Sequence, residues 1–462
     1  MLRARWWVIG GLSVVTASVV LLDTTGVIFN GADEPAPAPP VALPTLPDAA
    51  AALPAAVLPV PLPPDRRVIR EVEQALRADV LGSSVRAAVA PLGAPDEAWI
   101  DIGGDTLATP ASTLKLWTAT AVLDAAPVDQ RLSTTSLWDA SSGSVILVGG
   151  GDATLQTDPA KRSNAASLTA LAKATARQLR ANDRPARVRL RYDSTYFTGP
   201  TVSPGWEPAY VSSGVIGPVT ALMVDQGRID PASDARWLQP DAGAAFRFGQ
   251  LLEDAGVTVK DRPKPVAADA EFDDADVVAE VWSPPMGDLV EQMLRDSDNQ
   301  LAESLGRLAA VGAEQRPTFS GAAEAIRIAA AARGVDLRNA EIYDASGLSR
   351  DDELTPHSLV ETLHAASVEP QLASILSGLP VAGFDGTLAD RFVIGAAADA
   401  AGLIRAKTGT LTGISAEAGV VSTCSGGLVA YAFVADEVED TEAARSALDD
   451  AAALLASCPQ RR

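Results

Sequence analysis

Ser112 and Lys115 form the one Ser-x-x-Lys pattern in this 462-residue chain. Residues three apart face the same side of a helix, one turn from each other. A serine hydroxyl beside a lysine amine is a nucleophile beside its base, provided that burial or a second cation keeps the amine neutral. The pattern therefore predicts an enzyme that transfers acyl groups through Ser112.

The residues around this pair predict the start of a helix. Pro110 suits the first helical position, and Thr109 is a suitable N-cap. Ser112 would then lie in the first turn, where free backbone N–H groups favour negative charge. We expect this helix to run to about Ala126.

Two further patterns supply partners for such a pair. Ser297-Asp298-Asn299 lies where two helical patterns meet, and Lys407-Thr408-Gly409-Thr410 follows a strand-like stretch. Ser-x-x-Lys is expected ~0.4 times by chance and is weak alone, whereas Lys-Thr-Gly is expected only ~0.03 times. The three patterns in this order are typical of penicillin-binding proteins and β-lactamases.

The composition argues against several other kinds of site. The net charge of −22 disfavours nucleic acid as a partner. His357 and His364 are the only histidines, which argues against both a Ser-His-Asp triad and a histidine-rich metal site. No glycine-rich nucleotide motif is present. We expect no metal and no cofactor.

The N-terminal segment predicts export. Arg3 and Arg5 precede residues 6–22, which carry no charge, so residues 1–32 are interpreted as a signal peptide or signal anchor. An uncleaved anchor in the cytoplasmic membrane is preferred, because no convincing cleavage site follows. Residues 33–64 contain 11 prolines and are interpreted as an extended linker. The body is therefore expected to be extracytoplasmic, membrane-anchored or secreted.

The folded body is expected to combine helices and strands in two domains. A helical pattern opens it near Asp65, and another at 440–456 closes it. Residues 65–134 and 280–462 are assigned to one domain. Residues 135–279 are assigned to a mainly β insertion, because a long stretch with strand and turn patterns separates Ser112 from the second motif.

The two cysteines lie near the C-terminus. Cys424 is in a predicted turn, and Cys458 follows the last predicted helix. Because an exported protein meets an oxidising environment, a disulfide between them is favoured. Two unpaired thiols are the alternative.

The chain resembles the D-alanyl-D-alanine carboxypeptidase/endopeptidase family, the low-molecular-mass class C penicillin-binding proteins. The resemblance covers roughly residues 66–436 and adds further stretches to the three motifs. These stretches are Val148–Leu155, Tyr192–Thr195, Pro204–Trp206, Asp344–Arg350, Pro380–Leu388 and Ala406–Gly413. The insertion looks shorter than in members that carry two extra domains.

The family resemblance implies an α+β fold in which helices flank an antiparallel sheet, with Lys407 on an edge strand. It implies a peptidoglycan stem peptide as substrate and β-lactam antibiotics as acylating inhibitors. Asn299, Thr408, Gly409 and Thr410 are implied to bind the substrate. The backbone N–H groups of Ser112 and Thr410 are implied to bind the oxyanion. Asp344–Arg350 is interpreted as a scaffold loop.

The two motif lysines are assigned different jobs. Lys115 must be neutral to accept the proton of Ser112, although a free lysine titrates near ~10.4. Lys407 is expected to stay charged, to attract the terminal carboxylate of the substrate and to keep the pKa of Lys115 low. Ser297 is expected to relay a proton to the leaving amine.

Two other functions remain open. One is a β-lactamase or an esterase on the same fold, although no deacylating Glu of the class A type is recognisable. The other is a wall-binding protein without activity, against which the intact motif residues argue. The preferred function is a D-Ala-D-Ala carboxypeptidase, with DD-endopeptidase activity as an additional option.

Overall fold

The computed structural model describes residues 66–457, except 161–162, 268–271, 273, 336 and 338. The predicted α+β class is confirmed. Within these residues the strands are β1 (Ser84–Pro91), β2 (Ile100–Ile102), β3 (Ser133–Asp139), β4 (Ser144–Gly149), β5 (Arg187–Asp193), β6 (Thr258–Val259), β7 (Lys264–Pro265), β8 (Asp276–Trp282), β9 (Ile404–Leu411), β10 (Ile414–Ser422) and β11 (Leu428–Asp436). The α-helices are α1 (Arg66–Ala75), α2 (Lys115–Ala125), α3 (Leu168–Ala181), α4 (Pro208–Ser212), α5 (Pro240–Asp254), α6 (Met286–Arg295), α7 (Asn299–Gly312), α8 (Phe319–Ala331), α9 (Pro356–Val368), α10 (Ala373–Gly378) and α11 (Thr441–Ala456).

The first sheet joins the two ends of the described chain. Its five strands are ordered β2-β1-β11-β10-β9, and every neighbouring pair is antiparallel. Strands β1 and β2 precede the nucleophile, whereas β9 to β11 come from the C-terminal part. This pairing supports the proposed catalytic domain of residues 65–134 and 280–462. Strand β9, which carries Lys407, lies at the sheet edge, as the resemblance implies.

Helices cover both faces of this sheet. Helix α2 packs among α6, α7, α8 and α9 on one face, and α1 and α11 cover the other. Every residue of α2 from Lys115 to Leu123 is buried. Because close packing surrounds this helix on all sides, the helix cannot shift easily and is a rigid support for a reactive side chain.

The second sheet belongs to the segment between the first two motifs. Its order is β6-β5-β4-β3-β8, with β7 paired to β5. The segment, expected to be mainly β, also carries a helical layer of α3 and α5 over one face. The reason is that β4 and β5 are parallel, and a parallel pair needs a crossover, which α3 provides.

The chain enters and leaves this second sheet at adjacent points. Ser133, the first residue of β3, is paired with Trp282, the last residue of β8. Close entry and exit points are what an inserted domain requires. The pairing supports the proposed insertion at 135–279.

Several predictions fall on residues that the structure does not describe. The signal segment 1–32, the linker 33–64 and Cys458 are among them. Cys424 takes part in a disulfide, but its expected partner is not described, so the Cys424–Cys458 pairing stays a prediction. Across the described ranges no helix is both long and apolar enough to cross a membrane.

Candidate active site

Ser112 lies in a tight turn that leads into α2, rather than in the first turn of the helix itself. Residues Ala111–Leu114 form a 3₁₀ turn, and α2 begins at Lys115. The predicted start at Pro110 with Thr109 as N-cap is wrong, because Ala111 has a φ of 46°. A residue in this left-handed region cannot continue a right-handed helix, and such strain is common at functional sites.

Lys115 Nζ contacts the nucleophile directly. It lies 2.8 Å from Ser112 Oγ, 2.8 Å from Asn299 Oδ1 and 2.6 Å from the Ser346 carbonyl oxygen. The Lys115 side chain is 0% exposed. The spacing of the motif, one helical turn, thus places a buried amine against the Ser112 hydroxyl, which faces the cavity.

The second motif forms the turn between α6 and α7, as predicted. Ser297 has a φ of 54°, and Asp298 caps α7 by accepting a hydrogen bond from Leu301 N at 3.0 Å. The cap fixes the first turn of α7, and Asn299, its first residue, points its amide oxygen at Lys115.

Lys407 reaches the second motif from strand β9. Its Nζ donates to Ser297 Oγ at 3.0 Å and to the Thr408 carbonyl oxygen at 2.6 Å. Lys407 is also 0% exposed. The structure therefore brings two buried lysines and two serines together, each lysine paired with one serine.

Burial is the main cause of the altered titration of both lysines. It lowers the pKa of Lys115 to about 8, against the opposing effect of the Asp344, Glu303, Asp298 and Asp352 carboxyl groups. Burial, followed by the charges of Lys115 and Arg391, lowers the pKa of Lys407 well below its usual value.

The surroundings of Lys407 do not favour the charge that was expected for it. Its hydrogen-bond partners among the described residues are the neutral oxygens of Ser297 and Thr408, and burial lowers its pKa well below the usual value. Around Lys115, nearby carboxyl groups oppose the effect of burial. The low pKa of Lys115 is therefore a result of its burial, not of a permanent charge on Lys407.

Gly409 allows the edge strand to approach the nucleophile. A Cβ atom at this position would lie 2.8 Å from Pro110 O, 3.0 Å from Ala111 Cβ and 3.1 Å from Ser112 N. Two of these atoms are backbone atoms and cannot move independently of the turn. The absence of a side chain brings the β9 backbone next to the Ser112 N–H group, where an oxyanion would bind.

We expect Gly409→Ala to slow acylation of Ser112 at least ~10-fold and to cost about 1–3 kcal/mol of stability, because the added methyl group overpacks the contact. Acylation by a chromogenic β-lactam and thermal unfolding measure the two effects. Wild-type values for both would show that the close approach of β9 is not needed.

A cavity of about 620 Å³ opens onto these residues. Its lining includes five of the predicted site residues, namely Ser112, Ser297, Asn299, Thr408 and Thr410. Lys115, Lys407 and Gly409 lie behind this lining and are buried. The structure thus gathers all eight predicted residues at one site. Among the described residues, no group of three or more His, Cys, Asp or Glu side chains is placed to hold a metal ion.

Two residues at the site had no assigned role in the sequence. Thr387 Oγ1 lies 2.9 Å from Thr408 Oγ1, and Arg391 lines the same cavity. Arg391 donates to Glu417 Oε2 at 2.7 Å and to Asp449, which fix its guanidinium beside the cavity. Thr387 is part of the Pro380–Leu388 stretch, one of those on which the family resemblance rests. This resemblance was the one sequence feature that could have indicated a role for Thr387.

Ser346 is the third residue that the sequence did not assign. The stretch 344–350 was interpreted as a scaffold loop, but the Ser346 carbonyl oxygen contacts Lys115 Nζ at 2.6 Å. Every residue type has a main-chain carbonyl oxygen, so the identity of residue 346 could not indicate this contact. Only the family resemblance of the 344–350 stretch indicated a position near the site.

Comparisons with known proteins identify relatives over most of the chain. A model of the D-Ala-D-Ala carboxypeptidase 3 (S13) family matches residues 68–237 and 232–457. Carboxypeptidase DacB of Mycolicibacterium smegmatis is 35% identical over 457 residues, which are 96% of this chain and 95% of that protein. Carboxypeptidase Rv3627c of Mycobacterium tuberculosis is 36% identical over 365 residues, 77% of this chain and 76% of that protein.

A solved structure shares the fold. Penicillin binding protein 4 (dacB) from Haemophilus influenzae superposes with a TM-score of 0.69 at 20% identity, and covers 83% of this chain and 97% of its own. At this identity the similarity concerns the fold, and the chemistry of the site depends on the residues described above.

Proposed function

The chain belongs to the D-Ala-D-Ala carboxypeptidase 3 (S13) family of serine peptidases, and we propose that it removes the terminal D-Ala of peptidoglycan stem peptides through an acyl-Ser112 intermediate. The predicted family and activity are confirmed at this level. The roles of individual residues rest on one observation above all, which is the contact of 2.8 Å between buried Lys115 Nζ and Ser112 Oγ.

In the acylation step, Ser112 Oγ attacks the carbonyl carbon of the penultimate D-Ala while its proton passes to the neutral amine of Lys115. The N–H groups of Ser112 and Thr410 stabilise the negative oxygen. The C–N bond then breaks, and the leaving amine receives a proton from Lys407 through Ser297. Water attacks the ester and gives up a proton that restores Lys407, and protonated Lys115 returns its proton to Ser112 Oγ as the shortened peptide leaves.

Lys407 has a role that depends on the substrate. Thr408 and Thr410 line the cavity where they can hydrogen-bond the terminal carboxylate of the substrate. A carboxylate bound there raises the proton affinity of Lys407, because an opposite charge then compensates for burial. A charged Lys407 in turn disfavours a proton on Lys115. Substrate binding thereby prepares the base.

A peptide whose terminal carboxylate is replaced by a carboxamide tests this role of Lys407. We expect kcat/KM to fall ~10²-fold or more, because the neutral amide neither raises the proton affinity of Lys407 nor pairs with its charge. The measurement is D-amino-acid amide release against D-Ala release from otherwise identical peptides. Equal values for both peptides would contradict the proposed role.

Penicillin distinguishes the alternatives on this fold. A D-Ala-D-Ala peptidase forms a long-lived penicilloyl adduct, a β-lactamase hydrolyses penicillin with rapid turnover, and a wall-binding protein without activity forms no adduct. The related Haemophilus protein has been solved in complex with a β-lactam. Intact-protein mass spectrometry over time after a pulse of penicillin separates the three outcomes.

The cavity favours a second activity, DD-endopeptidase. Its volume of about 620 Å³ lies in the range of sites that enclose whole drug-sized ligands, so it leaves room for a leaving group larger than D-Ala. Incubation with D-Ala-cross-linked peptide dimers, followed by chromatography, tests this activity. Dimers that remain intact while pentapeptides lose D-Ala would limit the enzyme to carboxypeptidase activity.

The enzyme acts outside the cytoplasm, because its family works on the cell wall. We propose that residues 6–22 anchor it in the cytoplasmic membrane and that 33–64 hold the catalytic domain away from it. Protease added to intact spheroplasts is expected to cut the protein between 33 and 64 and to release a catalytic fragment into the medium. Full protection of the chain would contradict this location.

A further inference from the structure

The direction of the Lys115 lone pair is determined by its two other partners. A neutral amine has two N–H groups and one lone pair, whereas three oxygens surround Nζ. Asn299 Oδ1 and the Ser346 carbonyl oxygen can only accept hydrogen bonds. They therefore take both N–H groups, and the lone pair points at the remaining partner, the Ser112 hydroxyl. The Ser346 carbonyl is as necessary for this alignment as Asn299.

Asp344 holds the Ser346 carbonyl in place. Its Oδ1 accepts hydrogen bonds from Ser346 N at 2.9 Å and Gly347 N at 2.6 Å. Its Oδ2 accepts from Ser349 N at 2.8 Å and from Trp206 Nε1 at 2.8 Å. Asp344 is 0% exposed. One buried carboxylate thus binds three backbone N–H groups of the 346–349 turn and connects the turn to Trp206 of the inserted segment.

The same turn is packed against the nucleophile. Gly347 has a φ of 76°, and a Cβ atom there would lie 1.8 Å from Ala111 O. On the other side, Thr118 Oγ1 of helix α2 donates to Ala345 O at 2.7 Å. A displacement of the turn would therefore move the backbone of both Ser112 and its base.

We propose that Asp344 is a positioning residue for the general base, which acts through the Ser346 carbonyl to aim the Lys115 amine at Ser112. This inference rests on the proposed roles of Ser112 and Lys115. Asp344 does not contact the reacting atoms itself, because its oxygens bind the 346–349 turn and Trp206.

The charge of Asp344 should also affect the pH dependence of acylation, an effect that packing of the turn alone would not produce. Several titratable groups face Lys115: Asp344 and Asp352 from the turn segment, Asp298 and Glu303 from α7 and its cap, and Lys407 from β9. Burial and the Asp344 charge raise the pKa of Glu303 to about 8 and that of Asp352 well above its usual value. Among these carboxyl groups, Asp344 has the largest effect on Lys115 and opposes the lowering of the Lys115 pKa by burial.

Asp344→Asn tests the proposal through the pH profile of acylation. In the wild type, the rate rises with pH as Lys115, with a pKa of about 8, loses its proton. Asparagine removes a negative charge that favours the protonated amine, so the pKa of Lys115 falls. We expect the rising limb of the acylation rate to move to lower pH by ~1 unit, and the plateau rate to fall ~10-fold or more as the turn loosens.

Asp352→Asn is the matched control. Asp352 accepts a hydrogen bond from Tyr343 N at 2.7 Å, which asparagine can also accept, and its effect on the pKa of Lys115 is smaller than that of Asp344. The rising limb of Asp352→Asn is therefore expected to move less than that of Asp344→Asn. The proposal is overturned if Asp344→Asn folds and its limb moves no further than that of the control.

A milder variant covers the case in which Asp344→Asn does not fold. Trp206→Phe keeps the charge of Asp344 and removes one of its four hydrogen bonds. We expect folded protein with acylation slowed several-fold, and a wild-type rate would overturn the proposal. A wild-type enzyme that forms no adduct on Ser112 would instead disprove the proposed function itself, so the two failures are distinguishable.

Discussion

Lys115→Arg is expected to slow acylation of Ser112 by ~10²–10⁴-fold near neutral pH, which is the usual contribution of a general base. A guanidinium keeps its proton throughout the accessible pH range and offers no lone pair to the Ser112 hydroxyl. The added bulk also has no space, because the Lys115 side chain is fully buried among three oxygen partners. Stopped-flow acylation with a chromogenic β-lactam, from pH 6 to 10, measures the effect.

Lys173→Arg is the matched control, because Lys173 is exposed on helix α3 of the inserted segment. Its acylation rate and pH profile are expected to equal those of the wild type. If Lys115→Arg acylates at the wild-type rate near neutrality, another group removes the proton and the proposed mechanism is wrong.

Ser112→Ala is expected to abolish both penicillin acylation and D-Ala release, because it removes the proposed nucleophile. Among the described serines that line this cavity, only Ser297 also contacts a fully buried lysine. Ser297 Oγ has Lys407 Nζ at 3.0 Å, so it is the residue that could substitute as nucleophile. Helix α2 is packed on all sides by apolar residues, so the fold is expected to survive the change. The measurements are adduct formation, released D-Ala and thermal unfolding of the same preparation.

Ser377→Ala on helix α10 provides the control for loss of a serine hydroxyl, because Ser377 is exposed. We expect this variant to acylate and to release D-Ala like the wild type. Residual adduct in Ser112→Ala would have to be mapped, and an adduct on Ser297 would reassign the nucleophile.

The gathering of the three motifs could be predicted from the sequence because each motif occupies a defined place in an element. Ser112 lies in the turn that leads into α2 and Lys115 begins that helix, Ser297 lies between two helices, and Lys407 lies on a strand. Burial of serine hydroxyls and lysine amines also costs free energy unless these groups contact polar partners such as one another. Their meeting in one cavity therefore follows from pattern and chemistry together.

The contributions of Ser346, Arg391 and Asp344 could not be predicted in the same way. Ser346 acts through a main-chain oxygen, which every residue type has. Arg391 is placed by Glu417 and Asp449, which lie on two other elements, so its position depends on tertiary packing. Asp344 acts through hydrogen bonds to a turn whose path cannot be read from periodicity.

The titration of the two lysines could not be predicted from the sequence. The expected charge on Lys407 was based on its proposed roles, which are to attract the terminal carboxylate of the substrate and to keep the pKa of Lys115 low. The structure gives it Ser297 Oγ and Thr408 O, which are neutral, in a fully buried position. Since burial is the largest cause of both pKa shifts, these shifts depend on the three-dimensional environment rather than on the position of each lysine in its motif.

The position of the penicillin adduct tests the central claim most directly. Wild-type protein is incubated with benzylpenicillin, digested, and its peptides are mapped by tandem mass spectrometry. We predict one penicilloyl group, located on Ser112, with no modification of Ser297 or of any lysine. An adduct located on another residue, or none on a folded and fully soluble protein, would contradict the assignment of Ser112 as the nucleophile.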